Sequence, residues 1–253
     1  MGTLGLTRTA SPDTLLTSQS VSFTPHFMSV PAVTPRQRRK EARPQELLDA
    51  ALELFVEKGF AATRQDEIAA RAGVSKGTLY LYYPSKEELL KAVIRERLST
   101  EIEAGMQQVR QHVGTNADLL RSLLPRWWEN MFNSPASGVF KLIITEVRTF
   151  PEIAEYYMRE VVEPGHHLVG TVLQRGIEAG EFRPVNVEGA VHSLVLPMVM
   201  LCLHKHSLGA CSAIESLGQP HDFIQQHIDL VLRGLEIRDA SPGAAAPKKP
   251  RPA

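Results

Sequence analysis

The sequence predicts an all-α protein with a small N-terminal three-helix unit and a larger helical region after it. Two observations predict this. Between residues 63 and 93, Gly73 separates two short amphipathic segments, and Pro84 ends the second before a third begins. From residue 117 to 237, further amphipathic or apolar stretches are separated by Gly, Pro or Asn. Because Gly and Pro are the residues that most often end helices, the chain has the pattern of a succession of helices.

The composition is typical of a globular protein. Of the 253 residues, 43% are hydrophobic, which is enough for one large domain or two small ones. The best apolar candidate, residues 191–203, is interrupted by His192, Ser193 and Pro197 and is shorter than the roughly 18 residues of a membrane-spanning helix. We therefore expect no membrane partner, and the absence of a secretory signal in the first 30 residues predicts a cytoplasmic location.

The net charge of zero hides an uneven distribution. Residues 35–98 carry 13 Lys or Arg and 10 Asp or Glu, whereas residues 99–238 carry 11 and 16. Five cations fall in residues 35–43, PRQRRKEAR, which form a basic arm suited to phosphates or a minor groove; the alternative is a solvated, disordered leader. Residues 1–34 and 239–253, rich in Ser, Thr, Pro or Ala, are expected to be disordered.

The first helix is expected to run from Pro44 to Gly59, with apolar residues at spacings of three and four on one face. This helix supports the unit without contacting bases. The second helix is expected to begin near Thr63, which has Asp66 at the spacing of a capping box.

Gly73 suits the left-handed conformation that turns the chain at a helix end, and Ser75 suits the cap of the next helix. Residues 76–82 are too few to form a stable helix alone, so Val74 and Leu79 are expected to anchor it inward. Two short helices joined by a glycine-containing turn form the arrangement that places a helix in a DNA major groove. The first functional hypothesis is therefore sequence-specific DNA binding.

The outer face of this second short helix carries the candidate DNA contacts. Lys76, Gly77, Thr78 and Tyr82 are placed to approach base edges or phosphates. The alternative for Tyr80, Tyr82 and Tyr83 is half-buried packing, from which their hydroxyls still reach phosphate. Ser85 and Glu88 form a second capping box, so Lys86 lies at a helix N-terminus that favours a phosphate.

These residues carry a resemblance to a known family. Phe60, Ala62, Thr63, the run IAARAGVSKGTLYLYY and the following PSKEELLKAV resemble the N-terminal domain of TetR-type transcriptional regulators. The resemblance implies an all-helical homodimer, with a DNA-binding domain at residues 44–92 and an effector-binding and dimerisation domain at 93–238. Most such proteins repress transcription until a small molecule releases them.

The resemblance also implies roles for single residues. Thr63, Tyr80 and Lys86 would touch phosphates, and Lys76, Gly77, Thr78 and Tyr82 would lie nearest the bases. The family commonly has His-Phe or a similar pair where this chain has Tyr82-Tyr83, which leaves the contacts there less defined.

Aromatic and soft apolar residues on the central helices are candidates for an effector pocket, although core packing is the alternative for most of them. They predict an apolar or amphipathic small effector. The candidates are Trp127, Trp128, Met131, Phe132, Phe140, Tyr156, Tyr157, Met158 and His192.

The last two long segments are candidates for a homodimer interface, because in this family such helices commonly form a four-helix bundle. Packing within one chain is the alternative. The residues concerned are Val191, Leu194, Val195, Met198 and Leu201 on the first segment and Phe223, Ile224, Ile228, Val231 and Leu235 on the second.

Neither a cofactor, a metal nor an enzymatic activity is expected. Cys202, His204 and His206 are two residues apart and so point in different directions on a helix, and Cys211 lies beyond them. The nucleophile-elbow, zincin, phosphate-loop and dinucleotide motifs are absent from the sequence.

The sequence as a whole predicts a dimeric transcriptional regulator whose recognition helices lie in successive major grooves of a palindromic operator, roughly 34 Å apart. Two alternatives remain open. The first is a helical ligand-binding protein or enzyme that has lost operator binding, and the second is a non-specific DNA binder that depends on the basic arm.

Overall fold

The computed structural model describes residues 35–146, 148–211 and 219–237, and it describes side chains from Pro44 onward. The predicted leader at residues 1–34 and the predicted tail at 239–253 lie outside these residues. Throughout the described part, the secondary structure is helical apart from one isolated bridge between Phe182 and Glu236. The all-α prediction is confirmed.

Four helices build the N-terminal unit, here called the head, and the predicted turn and stop separate them as expected. Their bounds are α1 Pro35–Lys58, α2 Gln65–Arg71, α3 Lys76–Tyr82 and α4 Lys86–Ile94. Gly73 has φ of +65°, the left-handed conformation that the turn between α2 and α3 requires.

Two of the predicted helix starts are wrong. Helix α1 begins at Pro35 instead of Pro44, so the basic segment 35–43 is helical and Pro44 lies inside the helix. The segment consists largely of Arg, Lys, Gln, Glu and Ala, all good helix formers. Helix α2 is capped at Arg64, whose N–H donates to Glu67 Oε2 (3.3 Å), so the box uses Arg64 and Glu67 in place of Thr63 and Asp66.

In the larger region, here called the body, the described residues form eight more helices around a continuous apolar core. Two π-helical turns, Arg95–Ser99 and Met158–Val162, interrupt the succession of α-helices and pack against each other. The helix bounds are α5 Thr100–Gln111, α6 Asn116–Asn133, α7 Gly138–Glu146, α8 Pro151–Tyr157, α9 Glu163–Glu178, α10 Val187–Lys205, α11 Leu208–Cys211 and α12 Pro220–Leu235.

Helix α7 joins the body to the head by direct contacts. Gly138 packs so closely on Val56 of α1 that any side chain there would collide with it. At the other end of α7, Glu146 Oε1 accepts a hydrogen bond from the Phe60 N–H (3.2 Å). The Phe60 ring meets Phe150 edge to face, with centroids 4.7 Å apart. The head is therefore fixed to the body by the end of α1 and by the loop that follows it.

Most of the residues predicted to form a dimer interface instead build the core of the single chain. Val191, Leu194, Met198 and Leu201 on α10 are buried, as are Ile224, Ile228 and Leu235 on α12. Their helical spacing brings them inward because α10 and α12 pack on each other and on α6. The apolar side chains that these helices expose are others, namely Leu196 (56%), Met200 (60%) and Leu230 (71%).

Helix α10 is also the one described helix that is long and apolar enough to cross a membrane by length and composition. It packs against α7, α9 and α12, and Leu194, Met198 and Cys202 are almost fully buried in the chain's own core. These contacts are those of a core helix, for which a high apolar content is ordinary.

Candidate DNA-binding surface and effector cavity

Local interactions of the head determine the position of helix α3. Ser75 Oγ accepts from the Thr78 N–H (3.2 Å) and lies 2.9 Å from Thr78 Oγ1, which caps the first turn. Leu79 is fully buried and holds the seven-residue helix against the core. Because such a short helix is not stable alone, this anchor and this cap place its outer face.

The outer face of α3 is formed by Gly77, Tyr80 and Leu81, with Lys76 beside them. Gly77 and Lys76 are exposed, and Leu81 is 82% exposed. The first three lie at positions i, i+3 and i+4, so they share one side of the helix. Lys76 Nζ lies 5.8 Å from the centroid of the Tyr80 ring. The predicted residues Lys76, Gly77 and Tyr80 are thus brought together on one surface, here called the reading face.

Thr78 and Tyr82 lie one helical turn apart on the neighbouring side of α3. Both are half-buried, and Tyr82 packs with Tyr83 against the core. Burial raises the pKa of the Tyr83 hydroxyl. The rings of Tyr82 and Tyr83 are therefore half-buried, as the packing alternative expected. Thr78 and Tyr82 border the reading face.

Thr63 does not fit a side-chain phosphate contact. It is 2% exposed, and its hydroxyl donates toward the carbonyls of Gly59 (2.7 Å) and Leu54 (3.1 Å). These carbonyls lie in the last turns of α1 and just after it, where helical partners run out. Thr63 therefore closes the end of α1 in this structure, and its phosphate contact stays a prediction.

Lys86 has a similar inward role. Its Nζ donates to the carbonyls of Phe60 (2.7 Å), Thr63 (3.0 Å) and Ala61 (3.1 Å), and it lies 4.6 Å from the Phe60 ring centroid. Burial lowers the pKa of this ammonium, and Glu87 and Glu146 oppose that effect. All three N–H donors are used, so in this structure the side chain ties α4 to the loop after α1, and its phosphate contact stays a prediction.

The body contains a cavity of about 850 Å³ bounded by α5, α6, α7, α9 and α10 and by the second π-helical turn. Its wall is mainly apolar, as is usual for small-molecule sites. Ile144, Met158 and Leu196 line it and are nevertheless about half exposed, so they mark the part of the wall that is open to solvent.

Six of the predicted pocket residues line this cavity, namely Trp127, Trp128, Phe140, Tyr157, Met158 and His192. Met131 and Phe132 do not line it, and Met131 is buried in the core instead. Tyr156 also points elsewhere: its hydroxyl accepts from Arg95 Nε (3.2 Å) on the first π-helical turn. Successive helical positions differ by about 100°, which is why Tyr156 and Tyr157 face different surroundings.

The cavity wall also holds polar groups that have no hydrogen-bond partner among the described residues. They include the rings of His166 and His192, whose centroids are 5.0 Å apart, and the hydroxyl of Tyr157. Burial, and then His192, lower the pKa of His166, with Glu188 opposing. Burial raises the pKa of Tyr157 well above its ordinary value. At neutral pH the His166 ring and the Tyr157 hydroxyl are therefore uncharged hydrogen-bonding groups.

Ser137, His206 and Cys202 are residue types that occur in catalytic or metal sites, but their surroundings here are those of structural residues. Among the described residues, no cluster of three or more His, Cys, Asp or Glu is arranged to hold a metal. Ser137 Oγ lies 2.8 Å from His206 Nε2, but Ser137 is fully buried and its hydroxyl also donates to the Ser134 carbonyl. Burial raises the pKa of the Cys202 thiol to about 12, which leaves it unreactive.

Two family descriptions match the chain on either side of the head–body boundary. Residues 47–93 match the bacterial regulatory proteins of the tetR family, and residues 114–210 match the tetracycline repressor-like C-terminal domain. The chain belongs to the TetR family. It is a DNA-binding transcriptional regulator of the helix-turn-helix type.

Individual TetR relatives extend over most of the chain. The transcriptional repressor KstR2 of Mycolicibacterium smegmatis is 25% identical over 203 residues, covering 80% of this chain and 94% of KstR2. The fatty acid metabolism regulator protein of Bacillus subtilis is 25% identical over 148 residues, covering 57% and 74%. The solved structure of FadR from Bacillus subtilis with stearoyl-CoA shares the fold (TM-score 0.59, 19% identity), covering 76% and 99%.

Sequence reasoning missed one residue of the TetR-type reading face, Leu81. An apolar side chain is assigned to the core by default, and Leu79, two residues earlier, does lie there. The signal available in the sequence was the spacing of Leu81 from Gly77, because a side chain four residues after an outward glycine faces outward too.

Proposed function

We propose that this protein is a homodimeric repressor that leaves a palindromic operator when a small apolar or amphipathic molecule fills the cavity of the body. The proposal rests on helix α7, which contacts both the cavity and the head. It supplies Phe140, Ile143 and Ile144 to the cavity wall and holds the head through Gly138 and Glu146. A ligand that moves this wall acts on the helix that positions the head.

The reading face supports direct contact with bases. An outward glycine lets the backbone approach DNA closely, and an exposed leucine suits the methyl group of thymine. Lys76 supplies a cation for a phosphate or a base edge, and the Tyr80 hydroxyl reaches a phosphate. In this proposal Lys76, Gly77, Tyr80 and Leu81 contact DNA, with Thr78 and Tyr82 at the border.

The exposed apolar side chains of α10 and α12 support a dimer. Leu196, Met200 and Leu230 are all more than half exposed, and exposed apolar patches of this kind mark interaction sites. The two helices are held together there, since His227 Nε2 on α12 lies 2.9 Å from the Ser193 carbonyl on α10. A two-fold copy of this surface would cover it and place two heads side by side.

A second path from cavity to head runs through the paired π-helical turns. Met158, Val161 and Val162 of the second turn line the cavity. Tyr156, just before that turn, bonds to Arg95 in the first turn, which directly continues α4. A ligand releases DNA only if it binds better to a conformation whose heads no longer match the operator.

The relatives agree with an effector of this kind, since one regulates fatty acid metabolism and another was solved with stearoyl-CoA. The mainly apolar wall and the apolar opening at Ile144, Met158 and Leu196 are compatible with an apolar chain or ring system.

Selection of bound DNA from a random pool tests the operator. We expect enrichment of a palindrome whose half-sites are about one helical turn apart. Enrichment of no motif would refute operator recognition and favour the non-specific binder.

Sedimentation at micromolar concentration tests the dimer. Leu230→Glu is expected to give monomers, and Val113→Glu, at another exposed apolar residue, is the matched control.

A further inference from the structure

The cavity is elongated. Its residues on α10 run from Val187 to Val199 along one face of the helix, a distance of about 18 Å at the rise of an α-helix. The paired His166 and His192 rings lie near the middle of this span, and Tyr157 lies near Cys202, beyond Val199. An extended molecule fits this shape, with a polar atom near the two histidines.

The charged residues of the wall are all acidic. Glu101, Glu163 and Glu188 line the cavity, and Lys or Arg are absent from its lining within the described chain. None of the three carboxylates is paired with a described cation. Glu188 is exposed and lies one helical turn before His192 on α10, on the same side of the helix, and both residues line the cavity. An anionic head group placed at the two histidines would therefore meet a like charge without a compensating cation.

We infer that the effector is an uncharged, elongated apolar molecule whose hydroxyl, ketone or ester oxygen is held by His166 and His192, and that acid anions are rejected by Glu188. This inference rests on the cavity being the effector site proposed above. Each imidazole carries one donor and one acceptor, so the pair can serve either a hydroxyl or a carbonyl. The lowered pKa of His166 agrees with hydrogen bonding by a neutral ring.

The two tryptophans of the chain, Trp127 and Trp128, both line the cavity, so the intrinsic fluorescence of the whole protein reports directly on its occupation. Four probes that share one saturated chain separate the head groups: myristyl alcohol, methyl myristate, myristate and myristylamine. We expect the alcohol and the ester to bind at least about tenfold more tightly than myristate at neutral pH.

Three variants assign this preference to residues. His166→Ala and His192→Ala are each expected to weaken alcohol binding about 3- to 10-fold, the effect of one hydrogen bond. His204→Ala, on the same helix but outside the cavity wall, is the control and should change nothing. Glu188→Gln should strengthen myristate binding several-fold and leave the alcohol unchanged.

The preference for an uncharged head group is measured on the unmodified protein, so a variant that fails to fold does not prevent the test. Myristate binding as tightly as the alcohol overturns the inference, and tighter binding of myristylamine overturns it in favour of a cationic head. In both cases the cavity still binds a ligand and the proposed function stands. Failure of all four probes to change the fluorescence overturns the inference together with the effector role of the cavity.

Discussion

The head and the body use the same helices and apolar residues but differ in what fixes their shape. In the head, side-chain hydrogen bonds to the backbone define each junction: Ser75 and Ser85 cap α3 and α4, and Thr63 and Lys86 bond to the carbonyls that follow α1. In the body, long helices cross around open space, and two π-helical turns interrupt them. The contacts of the head thus favour a single geometry, whereas the body contains a cavity large enough for a small molecule.

The strongest test of this difference uses two leucines on the same short helix. Leu79→Ala is expected to destabilise the protein by about 2–5 kcal/mol, because a fully buried side chain leaves a cavity in the head. Leu81→Ala is the matched control and should change stability by less than about 0.5 kcal/mol while weakening operator binding by about 1 kcal/mol. Urea unfolding and operator titration measure the two effects, and equal destabilisation by both would contradict the reading face.

Two lysines distinguish a structural cation from a DNA-contacting one. Lys86→Met removes three hydrogen bonds to carbonyls and should cost about 1–2 kcal/mol of stability. Lys76→Met, on the exposed face, should leave stability unchanged and reduce the salt dependence of DNA binding by about one phosphate contact. If Lys86→Met instead left unfolding unchanged and lowered the salt slope, the phosphate role first predicted for Lys86 would be restored.

Adjacent tyrosines separate coupling from ligand binding in the body. Tyr156→Phe removes the acceptor for Arg95 and should cost about 0.5–1.5 kcal/mol of stability. It should also raise the effector concentration needed to release DNA without changing effector affinity. Tyr157→Phe should have the reverse pattern, since this hydroxyl lies in the cavity wall. Fluorescence titration and operator release, measured on the same samples, separate the two outcomes, and identical behaviour of both variants would refute the coupling path.

The smallest expected effect concerns two glycines of the cavity wall. At Gly170 in α9 an added Cβ would lie 3.6 Å from Val187 and 3.7 Å from Val191, which is ordinary contact. Gly170→Ala should therefore stabilise the protein by about 0.4–1 kcal/mol through the unfolded chain. At Gly105 the Cβ would lie 2.9 Å from Leu168, so Gly105→Ala should not give this gain. Thermal unfolding of the two variants gives the comparison.

The sequence predicted the head well because its signals are local. Gly73, Ser75 and Leu79 specify a turn, a cap and an anchor within seven residues, and all three act as expected. The roles of Thr63 and Lys86 were beyond sequence reasoning because their partners are backbone carbonyls, which carry no residue identity. A buried hydroxyl and an exposed one look the same in a sequence.

The cavity was predicted by residue type but not by register. Trp127, Trp128, Phe140, Tyr157 and His192 line the cavity, whereas Met131 and Tyr156 do not. Which side of α8 faces the cavity depends on packing around the second π-helical turn, for which the sequence has no recognised signal. The same limit explains why most residues of the predicted dimer face are buried within the single chain. Helical spacing identifies an apolar stripe but not the element that covers it.

The contacts of Phe60 also bear on whether such regulators can be assembled from interchangeable parts. A hybrid made by grafting this head, cut at the end of its family match, onto a foreign body would separate Phe60 from Glu146 and Phe150. Its amide would lose an acceptor and its ring a partner in the interior, so the graft would start with a loosened loop directly beside Lys86. A recipient body that offers a glutamate at the end of its α7 equivalent and an aromatic ring four residues later would restore these two contacts, provided that it also has a glycine opposite Val56. Hybrid transcription switches built from this chain therefore require matching of those two positions before the DNA specificity is considered.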